Sequence, residues 1–341
     1  MTFLAPLMLS AATGGMLALP LIPSLTELRR RRDAAPLPTR SDDGKIENFA
    51  LSMKKYMLPL AALQGKTFCT MRDGLIGRIL HRQDISALTD GLIETPVFAP
   101  ESLVFPLPVC LTHELYVRGD LDVAPDSMLR AALIEGNLTL GERTTVVRWI
   151  HAVGDLEAGD HARLYGRASA TGTLSLKHGS TFERLGAPHI CAGTAACAPH
   201  STSPVWKGTS LVDVRLGRVR SNGDFHLRDS DAFQGHIVAA GCVYIADNVL
   251  VIGSVKARRD AEIGSGSQIE GTVVSRGRMK IGSQCYIKGP VLGEDEIVIG
   301  PGTQIGTPAC PTTVSAPKVR IAPGAIVCGS IWARESGEVT A

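Results

Sequence analysis

Residues 253–306 read GSVKAR RDAEIG SGSQIE GTVVSR GRMKIG SQCYIK GPVLGE DEIVIG PGTQIG, nine blocks of six in which a few strand-forming residues are followed by a turn-forming Gly, Ser, Asp or Glu. Three blocks make one longer step, and glycines return on it at Gly235, Gly253, Gly271 and Gly289, with Gly306 one residue early. Side chains of a strand alternate between two sides, so every second residue can enter a tube. The step then stacks Ala261, Met279 and Ile297; Ile263, Ile281 and Ile299; Val249, Ser267, Cys285 and Thr303; Val251, Ile269, Ile287 and Ile305; and Val255, Val273 and Val291. Lys256, Arg258, Arg276, Lys280 and Lys288 fall on outward positions. Columns that stay aliphatic or small while the cations stay outside predict an all-β fold, a three-sided parallel β-helix of about 18 residues per coil. A sandwich would need strands longer than six-residue blocks permit.

A coarser copy of the repeat starts at Gly119-Asp-Leu-Asp-Val and recurs at Gly136, Gly154 and Gly172, so Leu121, Leu138, Leu156 and Leu174 should share a column beside Val123, Leu140, Ala158 and Leu176. This predicts a first array over residues 117–184 and a second, regular one over 223–341. Residues 185–222 are expected to hold an insertion and irregular coil. In that insertion His189, Cys191, Cys197 and His200 form a set that zinc could accept, although the spacing is not a short Cys-x-x-Cys knuckle and an ordinary surface loop reads as well. A second loop is expected at residues 307–317. No helix follows the last alternating residues, so the C-terminal face of the tube should be open, and an open sheet edge recruits another edge. About ten coils at about 4.8 Å each would make a rod on the order of 50 Å.

Aromatic residues are only 5% of the chain while glycine numbers 36, which suits narrow aliphatic coils with tight corners. Lys and Arg number 35 against 33 Asp and Glu, so there is no overall basic field of the kind that draws nucleic acid, and none is expected as a partner. The eight cysteines are too dispersed for a disulfide framework, and most of them read as reduced thiols of a cytosolic compartment.

The first 26 residues carry no charged side chain, and residues 3–25 are mostly apolar. At about 1.5 Å per residue such a segment crosses a hydrocarbon core of about 30 Å. Arg29, Arg30, Arg31 and Arg32 follow it, and positive charge tends to stay on the cytoplasmic side. The expected organisation is a transmembrane anchor over 1–28, a basic and Pro-rich linker over 29–44, and a partly helical capping segment over 45–116. In the last, Ile46, Phe49, Ala50, Met53, Met57 and Leu60 share one helical face, with the end of the solenoid, the membrane surface or another subunit as its possible partner. Pro59 should mark the end of that helix.

The catalytic inventory is thin. Acyl transfer to a hydroxyl or amine calls for a general base, most often histidine. The nine histidines all lie at or before His236, and of those in the second array His226 and His236 occupy outward positions. The runs Ile263-Gly-Ser-Gly-Ser-Gln, Ile281-Gly-Ser-Gln-Cys-Tyr and Ile299-Gly-Pro-Gly-Thr-Gln fit the hexapeptide pattern of left-handed β-helix acyltransferases, which stands as the alternative. A zinc hydrase of that fold would need converging histidines, for which His151, His161 and His178 are the candidates.

Residues 235–339, with Ile269-Glu-Gly-Thr-Val and Cys328-Gly-Ser-Ile-Trp-Ala as examples of their steps, resemble the bactofilins, polymer-forming bacterial cytoskeletal proteins. The resemblance implies a right-handed three-sided β-helix on the cytoplasmic face of the bacterial inner membrane, held by its N-terminus. It also implies end-to-end polymerisation without nucleotide, and scaffolding of envelope-synthesis or cell-shape machinery. The expectation is therefore a single-pass, membrane-anchored scaffold that associates with itself, with no catalytic residues, no cofactor and no assigned metal ligands.

Overall fold

The structure, a computed structural model, describes residues 8, 13–22, 48–61, 68–71, 74–87, 91–193, 210–212 and 217–340. The chain forms two compact units, Met1–Lys45 and Ile46–Ala341. In the first, residues 13–18 are helical and Met16, Leu17, Leu19, Leu21 and Ile22 are exposed. Among the described residues no helix is long and apolar enough to cross a membrane. Much of the expected span, and the linker at 29–44, lie outside the described residues.

The second unit is a β-solenoid of about 13 turns at roughly 18 residues per turn. Its second array has the register read from the sequence: Ala261 pairs with Met279 and Met279 with Ile297, and Val251, Ile269, Ile287 and Ile305 follow one another in adjacent coils. These side chains are buried in one continuous core, while Lys256, Arg258, Arg276, Lys280 and Lys288 are exposed. The column containing Ser267 and Thr303 is polar yet buried, and it links coils. The Thr303 hydroxyl donates to the Gly282 carbonyl at 2.7 Å and accepts the Cys285 N–H at 3.1 Å; Ser267 does the same for Ala246 at 3.0 Å and Val249 at 3.1 Å. Each buried hydroxyl thus keeps its partners. On the outside, the buried Glu296 carboxylate lies 2.7 Å from Arg278 and 3.3 Å from Arg320, tying three coils together.

The first array contains the columns Leu121, Leu138, Leu156 and Leu174, and Val123, Leu140, Ala158 and Leu176. It begins before residue 117. Parallel pairing already joins Ile76–Ile79 to Val97–Ala99 and Leu103–Phe105 to Leu121–Val123. Pro96, Pro100, Pro106 and Pro108 sit between these strands, at corners, where a missing N–H interrupts no ladder.

Three expectations about the ends are corrected. Residues 185–192 belong to the strand Thr181–Ala192, not to an insertion, and residues 312–317 belong to the strand Thr312–Ile321, not to a loop. The C-terminal face is not open. The last strand, Ile326–Val339, pairs in parallel with Thr312–Ile321 on one side and antiparallel with Thr181–Ala192 on the other. Since coils within each array pair in parallel, the two arrays run toward each other and meet tail to tail. Their cores merge across the contact.

The helix α1, Asn48–Ala61, does not cap an end either. It lies against the flank of the first array, where Ala50, Met53 and Met57 pack with Ile79, Phe98, Tyr116 and Leu133. Pro59 falls within it rather than ending it. Lys54 forms an ion pair with Glu135, which also accepts the Tyr116 hydroxyl at 2.8 Å, and Arg167 stands 4.2 Å over the Phe49 ring. Burial pushes the Glu135 carboxyl up, but the hydrogen bonds from Lys54 and Tyr116 outweigh it and leave the group below the ordinary value of 4.5. A depressed carboxylate contributes stability above its unfolded value and loses it as pH falls through the folded one. Backbone hydrogen exchange of residues 48–61 should therefore accelerate as pH drops below about 4.5, beyond the intrinsic change. A Glu135→Gln protein should lack this step; an identical pH profile in both would remove Glu135 as the latch.

Candidate functional site

The geometry singles out two places, the junction between the arrays and a groove on the second array. At the junction the strands Thr181–Ala192 and Ile326–Val339 set Thr181 opposite Glu338, Leu185 opposite Ile331, and Ile190 opposite Val327. Hydrogen bonds close both ends of the seam, from Gly179 N to Val339 O and Val339 N to Ser180 O at one end, and from Gly324 N to Ala192 O at the other. Arg184 stacks at 4.2 Å on Trp332 from the opposite array, and Gly337 lies against the Phe182 ring, leaving no room for a side chain. Two coil ends of this sequence are thus self-complementary. Sequence reading missed this contact, because Gly186 and Pro188 interrupt the alternation of one strand and Gly329 and Gly337 that of the other.

The other end of the second array is different. Among the described residues Arg218–Ser221 and Phe225–Leu227 are paired on one side only, to His236–Ala239 and Val243–Ile245. Val219 and Phe225 are partly buried against the core there, and Arg218, Arg220, Asp224 and Arg228 are exposed.

The groove has a volume of about 470 Å³ and crosses several coils beside His226, Tyr244, Asp247, Glu262 and Lys280. The rings of His226 and Tyr244 are stacked, 4.8 Å between centroids and 13° from parallel. Further along, Lys280 lies 3.5 Å from Glu262, and Asp247 accepts the Ser265 N–H at 2.6 Å. A hydrogen bond with the neighbouring Cys242 holds the Tyr244 hydroxyl above its usual range.

The structure separates the remaining candidate residues. His236 is exposed, and its Nδ1 accepts the Ser254 N–H at 3.1 Å, so it serves a corner between coils. His161 and His178 lie in turns and meet edge to face at 5.4 Å, whereas His151 is buried in the strand Thr145–Ala152 with Nδ1 2.8 Å from the Ser169 hydroxyl. The three do not converge. Of the loop donors, His189 and Cys191 lie in the junction strand, while Cys197 and His200 fall outside the described residues. The described cysteines 110, 191, 242, 285, 310 and 328 are not in disulfides.

No family model, curated protein or solved structure matches the chain.

Proposed function

We propose that the chain is a membrane-tethered, self-associating β-solenoid scaffold of the bactofilin kind, facing the cytoplasm and organising envelope or cell-shape machinery. The observation that supports this is the junction: one chain already joins two coil stacks end to end through backbone pairing and a merged core. Because that contact occupies both C-terminal edges, association between chains uses the N-terminal ends, with Arg218–Ser221 and Phe225–Leu227 as the edge of the second array. The charge-free residues 1–26 and the arginines 29–32 supply the tether.

A hexapeptide-type acyltransferase is the second reading, and the observation in its favour is that His226 lines the groove. Negative-stain electron microscopy of the full chain in detergent separates the two. With about 13 turns at about 4.8 Å each, the scaffold should appear as chains of rods that repeat at a multiple of roughly 60 Å. Single rods at every concentration would overturn it. Compact trimers that turn over an acyl donor, and lose turnover in a His226→Ala protein, would establish the alternative.

A further inference from the structure

Arg167 and Arg184 stand directly opposite each other in adjacent coils, in the parallel ladder between the strands Arg163–Ala170 and Thr181–Ala192. Among the paired residues of the described strands they are the only register partners that are both Lys or Arg. Elsewhere the rod sets opposite charges one coil apart, as in Glu262 with Lys280, Glu270 with Lys288 and Glu294 with Arg276. Like charges directly opposite in a ladder are destabilising. Neither Arg167 nor Arg184 forms an ion pair among the described residues. Glu183, the residue before Arg184, turns its carboxylate onto the Gly166 N–H at 3.0 Å instead.

Both guanidinium groups are held by rings from elsewhere in the fold. Arg167 stands 4.2 Å over Phe49 of α1, and Arg184 stands 4.2 Å over Trp332 of the second array. Stacking occupies the face of a guanidinium and leaves the N–H groups on its rim, so each arginine keeps a planar fork of donors with little freedom left to lose. The two arginines are half-buried and Trp332 is exposed, so solvent reaches the pair from outside the sheet. Adjacent rungs lie about 4.8 Å apart. A phosphoryl group, with three terminal oxygens and nearly two charges, can accept from both forks, whereas one carboxylate matches only one of them.

We propose that Arg167 and Arg184 bind a phosphate dianion, either free or as the terminal phosphoryl group of a lipid headgroup. The anion cancels the repulsion between the two cations. Because each cation is also stacked on a different part of the fold, the bound anion ties α1, the first array and the second array together beside the junction. The site does not depend on the scaffold reading; it concerns how the rod itself is held.

Inorganic phosphate is the probe, titrated into the full chain in detergent by isothermal titration calorimetry, with sodium chloride at matched ionic strength as the reference. Binding should saturate at one equivalent and weaken as salt is raised. Phosphate, and not chloride, should slow hydrogen exchange in residues 48–61, 181–192 and 326–339 together. Arg184→Lys keeps the charge but loses the fork, and Arg167→Gln loses both, so each should weaken phosphate binding by about tenfold or more. Arg258→Gln, which alters an exposed cation of the second array, should leave it unchanged. Far-ultraviolet circular dichroism shows whether each variant has formed the β-helix. If either variant does not fold, phosphate-dependent protection of the three segments in the unaltered chain decides the matter. Phosphatidylcholine vesicles with and without phosphatidate separate the two sources. Protection by phosphatidate in phosphate-free buffer assigns the group to a headgroup, and protection by inorganic phosphate alone assigns it to a soluble ligand. No saturable phosphate binding together with no protection by phosphatidate would overturn the site. So would equal protection by chloride, or undiminished binding in either folded variant.

Discussion

A chain ended at residue 325 should lose any defined mass in light scattering and form polydisperse aggregates under conditions where the full chain does not. The deletion removes the 14-residue strand Ile326–Val339, which is hydrogen-bonded on both sides. Two edges are exposed at once, the 12-residue strand Thr181–Ala192 and the 10-residue strand Thr312–Ile321. The core opens with them, since Val327, Ile331 and Val339 leave while Phe182, Leu185 and Ile190 lose their cover. Burial of a Val or Ile side chain contributes about 1.5–3 kcal/mol, so the three lost residues alone remove roughly 5–9 kcal/mol as an upper bound. That is comparable to the whole stability of an ordinary domain. Long unpaired edges beside exposed aliphatic side chains then find each other. A truncated chain that stays monodisperse, with unchanged hydrogen exchange in residues 181–192, would show that the tail-to-tail seam contributes little and would weaken the proposal that coil ends are the adhesive surfaces.

What the sequence disclosed and what it concealed follow from the same geometry. Columns such as Ile263, Ile281 and Ile299 were legible because each residue contacts its counterpart one coil away, so chain spacing and spatial spacing coincide. The junction is the opposite case. Leu185 and Ile331 belong to different arrays, and an alternating strand reads the same whether its neighbour runs parallel or antiparallel. His189 and Cys328, which the junction brings within 3.9 Å, therefore could not be associated by spacing. The apolar face of α1 was legible from Ala50, Met53 and Met57, but its partner was not, because that face alone does not say what covers it. The complementary signal lay in the first array. Phe98, Tyr116 and Leu133 are outward residues that break the polar rule, and they mark the flank where the helix lies. The outward position of His226 was also foreseen; its stacking on Tyr244 required the coil register to be known.

The 18-residue return of glycine has a mechanical cause, and Gly253→Ala should be among the most damaging small substitutions in the second array. A Cβ built on Gly253 would stand 1.9 Å from the carbonyl oxygen of Gly235 and 2.5 Å from its carbon. On Gly271 it would stand 2.4 Å from the Gly253 oxygen, and on Gly289 2.6 Å from the Gly271 oxygen. Each glycine thus sits on the backbone of the one before it, so the coil spacing itself excludes a methyl group. Overpacking costs about 1–3 kcal/mol when neighbours can shift, and here the obstacle is a backbone carbonyl held in the adjacent rung, so a loss of about 3 kcal/mol is expected. Gly223 is the control. It has nothing within 4 Å of an added Cβ and no left-handed backbone, so Gly223→Ala should be neutral, or stabilising by about 0.4–1 kcal/mol through the unfolded chain. Because each coil touches only its neighbours, the damage should be local. Hydrogen exchange should quicken first in the strands His236–Ala239, Val255–Ala257 and Val273–Ser275, before any change at the junction. Equal stability of the two alanine proteins would mean that the coils can spread to admit a side chain and that the Gly253 backbone, at φ 158°, tolerates one.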